Sequence, residues 1–445
     1  MAIPNRQIGW SQESNLLWGI WNDLSKVSRA VNCCTTGTST DPQNVVLPSV
    51  SYDSFGRMRV SNPMTLFDSS HRYDDNALWA TASATGGTAV YNANQGLIDL
   101  NVTAASGSSI KRETIKVFSY QPGKSLLVMN TFVMSPAKTG LRQRVGYYGN
   151  DNGFYLEQNN SDVAFVERSI VTGSLVNTPV LQAAWNGDKL DGSGPSGITL
   201  DLTKAQILWM DFEWLGVGSV RMGFVINGQF ITCHTFNHAN IIASTYITTA
   251  SLPLRYEIEN TAGTSGSSTL KQICSTVISE GGYELKGIQQ AVATPITTPR
   301  TFAVAGTYYP IVGIRLKATR LDAIVIATAV SLLGTGNGKN YQWRVTNGST
   351  ITGGLWVDAS ADSSVQYNLT GTSSSGGRIL ASGFVNSSNQ GSPSINILKE
   401  ALFANQLERN PFTGQRYEIV IEMAVATTSG GEGAYASIDW EEISR

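Results

Sequence analysis

Apolar and polar residues alternate one for one through much of this chain, and the passage that organises the rest is Gln206 to Phe236, QILWMDFEWLGVGSVRMGFVINGQFITCHTF. Leu208, Met210, Phe212 and Trp214 fall on every second position, the period of a strand with one buried face. A second set, Val220, Met222, Phe224 and Ile226, ends at Asn227-Gly228, a dipeptide whose tolerance of positive φ suits a two-residue hairpin turn. That turn predicts Ile226 opposite Gln229, Phe224 opposite Ile231, Met222 opposite Cys233 and Val220 opposite Thr235, with Arg221 meeting His234 on the other side. Cys233 then reads as a small core residue and not a nucleophile, and His234, facing a cation, as a poor general acid.

A helical period is convincing only over residues 10–31. Ser11 suits the N-cap, Leu17, Ile20, Leu24, Val27 and Val31 keep heptad spacing, and Trp18 and Trp21 widen the apolar stripe. Two heptads are too few for an independent coiled coil, so this helix has to dock. It packs on its own domain or serves as an oligomerisation or anchoring helix, and both readings stay open. In residues 49–74, Tyr52, Phe55, Met58 and Phe67 need burial, while Gly56 and Asn62-Pro63 break any regular element; this is an extended arm.

Short strands separated by turn residues run from Leu78 to about Tyr283, and the alternation returns in Val312/Ile314/Leu316, Tyr341/Trp343/Val345 and Tyr417/Ile419/Ile421/Met423. The expected fold is therefore mainly β: two antiparallel β-sandwich domains, jelly-roll or lectin-like, preceded by an N-terminal helix and extended arm. The expected divisions are 1–34 for the helix, 35–76 for the arm, 77–284 for the first sandwich, 285–301 for a Pro- and Thr-rich linker, and 302–445 for the second sandwich. A short helix is expected near residues 395–407.

Composition narrows the function classes. Of 445 residues only 14% are charged, 44 are Gly, and the formal net charge is -2. Basic residues are scattered singly or in pairs, which argues against nucleic-acid binding. Low charge suits turn-rich β architecture and surfaces covered by other subunits. Four cysteines, Cys33, Cys34, Cys233 and Cys274, are too few for a disulfide scaffold, although a Cys233–Cys274 bond stays open. The N-terminus lacks the basic start and apolar core of a secretory signal, and the most apolar run, Leu321 to Leu333, is too short to span a bilayer, so no membrane insertion is expected.

Candidate chemistry is sparse. Asp211 and Glu213 share one strand face, an arrangement open to glycoside hydrolysis, though outward-facing acids on a half-solvated sheet explain it as well. His234 and His238 are four apart beside Cys233, but that spacing gathers ligands on a helix and not on a strand, so no metal is expected. Gly334 to Lys339 resembles a phosphate loop only superficially: Leu333 stands where the first glycine belongs, Asn340 replaces Ser or Thr, and a strand pattern follows. No cofactor is expected.

Several passages, NRQIGWSQESNLLW, SYDSFGRMRVSNPMTLFDS, DFEWLGVGSVRMGFVINGQF with PLRYEIEN, IVGIRLKATRLDAIVIATAVSLLGTGNGKNYQWRV and SVQYNLTGTSSSGGRILASGF, resemble virion structural proteins of tailed bacteriophages, cyanophage-like or environmental. The resemblance covers most of the chain in patches. It implies a capsid-decorating, tail or fibre component, made in the host cytoplasm and incorporated into the virion, and brings no catalytic residues.

The expectation is thus a non-enzymatic virion building block, a homo-oligomer (a trimer among the options) that contacts other capsid, tail or baseplate proteins. Trp10, Leu17, Trp18, Trp21, Phe55 and Phe67 are its candidate assembly contacts. The alternative is a glycan-binding host-recognition protein using Trp185 and Trp209 against a host surface glycan. A third reading is a polysaccharide-degrading enzyme using Asp211 and Glu213.

Overall fold

The computed structural model describes residues 62–388 and 405–444. The expected helix at residues 10–31 and most of the one near 395–407 lie outside them. Among the described residues the fold is built from strands, arranged in four antiparallel sheets that make two sandwiches.

In the first sandwich one sheet runs, edge to edge, Gln229–Phe236, Val220–Ile226, Gln206–Phe212, Ser125–Val133, Ser268–Glu280, Leu97–Val102 and Thr88–Asn92, with Met64–Ser70 also paired to Ser268–Glu280. Its partner sheet runs Val176–Leu181, Asp162–Ser169, Gly153–Asn159, Leu141–Tyr148, Leu254–Asn260, Ser109–Thr114 and Trp79–Ala84. Inward residues of both sheets form one core, with Phe212 meeting Tyr147 and Phe154 of the facing sheet edge-on at 5.5 and 5.8 Å. Sheet edges are exposed hydrogen-bonding surfaces, and this sandwich guards two of them. Val176–Leu181 carries Pro179, and Gly187 and Asp188 donate their amides to the Cys233 and Thr232 carbonyls of the opposite edge strand.

The central hairpin turns at Asn227-Gly228, both at positive φ, with Ile226 opposite Gln229 and Phe224 opposite Ile231 as the turn requires. Beyond that the register departs from expectation. A bulge at Met222/Gly223 places Met222 opposite His234, Val220 opposite Phe236 and Arg221 opposite Thr235. Its cause is Trp209, which lies across from Gly223 and donates its indole N–H to the Ile231 carbonyl at 3.2 Å. A Cβ at position 223 would collide with that carbonyl and approach the indole. Gly223→Ala is therefore expected to lower stability by about 1–3 kcal/mol, read as a fall in the urea midpoint; an unchanged midpoint would show that the bulge yields without cost.

The second sandwich pairs a four-stranded sheet, in which Gly433–Ser444 contacts Ile288–Ala293, Arg300–Thr301 and Ile324–Gly334, with a six-stranded sheet in the order Val357–Asp358, Val365–Asn368, Tyr309–Leu316, Glu418–Val425, Asn340–Thr352 and Ser373–Asn386. Two expected boundaries change as a result. Residues 285–301 are not a linker, because they supply two strands to this sheet. The Met64–Ser70 part of the expected arm is a strand of the first sandwich.

The sandwiches are joined by contacts of both kinds. Val117 of the first packs with Ile324 and Ile326 of the second, all at most 2% exposed. Val325, Ala327 and Val330 of that same strand face the second core, so both of its faces are covered and its sequence is almost continuously apolar. Beside this cluster the Arg409 guanidinium, 3% exposed, donates to Glu113 Oε1 at 2.7 Å, to the Thr114 carbonyl at 2.6 Å and to Asp322 Oδ1 at 3.0 Å. Arg255 takes the other oxygen of Glu113.

Candidate functional site

Most residues singled out from the sequence are structural where they are described. Trp185 is 2% and Trp209 1% exposed. The first stacks on Phe165 at 4.3 Å and bonds the Val180 carbonyl; the second meets Phe230 edge-on. Neither can offer a ring face to a sugar. Phe67, expected at an assembly seam, is 7% exposed and packs on Trp79 and Phe118 of its own sandwich. The other five assembly candidates lie outside the described residues.

Asp211 and Glu213 have no exposed surface, where the sequence suggested a half-solvated face. Asp211 is bound by the Arg221 guanidinium from the neighbouring strand. Two buried acids, one held by a cation, do not form the open pair that glycoside hydrolysis requires.

His234 faces the core side because of the bulge, and burial, not Arg221, lowers its pKa. Its Nδ1 accepts the Asn186 amide at 3.3 Å. His238 is stacked on Tyr246 and held between the Gly218 carbonyl at 2.6 Å and Glu167 Oε2 at 3.0 Å. Both rings thus fasten loops to strands. Cys233 is fully buried, its thiol pushed up by that burial and by Asp188, and both Cys233 and Cys274 are free thiols.

One group of residues placed to meet a ligand lies on the outer face of the six-stranded sheet. Along Asn340–Thr352, Tyr341 and Val345 point into the core, so Asn340, Gln342 and Arg344 point out. The edge strand Ser373–Asn386 follows in register: Val385 opposite Tyr341 faces in, and Phe384 opposite Gln342 is forced out. Gly383 leaves room for the Trp343 ring, which would collide with any Cβ there. Phe384 is consequently 78% exposed.

A lone exposed phenylalanine is ordinary. This one borders a cleft of about 170 Å³, smaller than the several hundred Å³ of sites enclosing drug-sized ligands and suited to a single sugar ring. Gly306, Ala424 and Ala426 contribute small surfaces, while Asn340 and Gln342 contribute amides, and no charged side chain lines the cleft.

Nearby charges are occupied elsewhere. Lys339 is held by Glu432 at 2.8 Å; that ammonium, with the Ser429 hydroxyl, pulls the Glu432 carboxyl down to about 2. Arg344 is paired with Glu422 under the Tyr308 ring. An aromatic face beside uncharged amides matches a sugar, whose C–H faces are apolar and whose hydroxyls both donate and accept. Sequence reasoning missed Phe384 because only its register against Tyr341 and Gln342 shows which way it points.

No family model matches the sequence, and no curated protein does. Among solved structures the chain is similar to a protein of unknown function from Shewanella oneidensis, at 10% identity over 55% of this chain and 100% of the other, with a TM-score of 0.33. It is also similar to the CBM2 module of the evolved Dit protein of Lactobacillus casei BL23 phage J-1 (8% identity, 50% and 98% covered, TM-score 0.31). A third is the carbohydrate recognition domain of Emp47p (11%, 48% and 96%, 0.31). At identities and scores this low, what those proteins bind says nothing about this chain.

Proposed function

We propose that this chain is a non-catalytic saccharide-binding protein carried on a tailed-phage particle, with the outer face of its second sandwich as the binding surface. One observation carries the binding part: Phe384, 78% exposed, stands beside an amide-lined cleft free of charged side chains. The virion part is supported by the sequence passages quoted above, which resemble tailed-phage structural proteins. Incorporation into particles, contacts with other virion proteins and self-association belong to that part of the proposal. The burial of Asp211 and Glu213 supports a role without bond cleavage.

A glycan array probed with the full chain and with Phe384→Ala tests the binding surface. Wild type is expected to retain a set of neutral glycans, and the variant to bind them at least about tenfold more weakly because the stacking face is gone. Its stability should stay within about 0.5 kcal/mol, since an exposed side chain is removed. Wild-type binding unaltered by the substitution would overturn this placement of the site.

A purely architectural role is the second reading, favoured by the buried Arg409–Glu113 bridge that ties the two sandwiches together. Detection of the chain in purified particles, with no glycan retained on the array, would select it.

A further inference from the structure

The hydrogen-bond order at the rim of the cleft fixes which way the Asn340 amide faces, and that order points to a ligand. The backbone N–H of Ser388 can only donate, and it reaches Asn386 Oδ1 at 2.8 Å. Asn386 must then present Nδ2 on its other side, where it donates to Asn340 Oδ1 at 2.6 Å. With its oxygen taken, Asn340 has its Nδ2 hydrogens left for an acceptor. The relay begins at a main-chain amide, so the usual ambiguity between amide oxygen and nitrogen does not arise.

The lining beside this donor is small and apolar. Gly306 and Ala426 are exposed there, and Ala424 continues the floor beneath Gln342, to which it is directly paired across the strands. A fixed N–H donor, a methyl-sized apolar floor and an aromatic face bring together the complements of three groups: a carbonyl oxygen, a methyl and the C–H face of a pyranose.

We infer that the cleft selects an acetamido sugar, an N-acetylhexosamine, in preference to the parent hexose. The acetamido carbonyl accepts from Asn340 Nδ2, its methyl rests on Gly306 and the two alanines, and the ring lies against Phe384. Gln342, exposed between Phe384 and Ala424, is left for the hydroxyls. This inference rests on the saccharide-binding reading of the same cleft.

Titration of the full chain, followed by ligand-observed NMR, with the methyl glycosides of N-acetylglucosamine, N-acetylgalactosamine, glucose and galactose provides the test. At least one acetamido sugar is expected to bind roughly tenfold more tightly than its parent hexose, the combined effect of one hydrogen bond and one buried methyl. Asn340→Asp keeps an acceptor for Asn386 and deletes the donor, so it should reduce the ratio of acetamido-sugar to hexose affinity to about twofold or less. Equal affinity for acetamido and parent sugars, with both lost in Phe384→Ala, overturns the acetamido assignment and leaves the platform standing. A preference that survives Asn340→Asp overturns the donor role. Absence of binding by all four glycosides, together with an empty glycan array, removes the platform and this inference with it.

Discussion

Arg409→Ala is expected to lower the stability of the protein by about 3 kcal/mol or more. The guanidinium is 3% exposed, and it spans the sandwiches by serving Glu113 Oε1 and the Thr114 carbonyl of the first while also holding Asp322 of the second. Its removal leaves a buried carbonyl without its donor and half of a 2%-exposed carboxylate without a cation, since Arg255 occupies the other oxygen. An unmet buried polar group costs about 1–3 kcal/mol, and more when charged. The ion pair with Asp322 adds little, because that acid is 68% exposed.

Urea unfolding followed by tryptophan fluorescence and by far-UV circular dichroism would read the effect. A lower midpoint is expected, with the two probes no longer coincident as the sandwiches lose their coupling. A loss below about 1 kcal/mol in Arg409→Ala would mean that the remaining contacts of the junction, among them Val117–Ile324–Ile326, the Gln406 amide on the Val117 carbonyl and the Lys116–Glu408 pair, hold it without the guanidinium.

Phe212→Ala is expected to cost about 3–5 kcal/mol. The ring has no exposed surface and lies edge-on to Tyr120, Tyr147, Phe154 and Tyr246, so it touches both sheets of the first sandwich and two of its connecting segments. Four rings around one cannot all collapse inward when it is removed, and the cavity remains. The same chemical change at Phe384, four-fifths exposed, should be almost silent in the denaturation curve and visible only in binding. A Phe212→Ala curve within about 1 kcal/mol of wild type would show that this core relaxes much more freely than its packing implies.

The alternation around Leu208, Met210 and Phe212 identifies strands with one inward face, and the structure uses those side chains in that way. The Asn227-Gly228 turn likewise sets the first pairs of the hairpin. Local rules stop at Gly223. The demand for a bulge comes from Trp209 on another strand, and its effect is to turn His234 toward the core and away from Arg221. Residues 285–301 were legible as Pro- and Thr-rich but not as strands, because their partners are about 150 residues further on, in Gly433–Ser444. Phe67, Trp185 and Trp209 show the same limit: an aromatic residue signals a need for burial, without indicating against what.

The sequence by itself determined the β class, the two runs of sandwich strands, the central turn and the scarcity of charge, since each follows from a period or composition carried by neighbouring residues. Only the tertiary structure decided the fusion of the sandwiches through Arg409, the burial of Asp211, and the outward stance of Phe384 beside Asn340 and Gln342. These depend on pairings between distant strands, where a shift of one residue exchanges inside for outside.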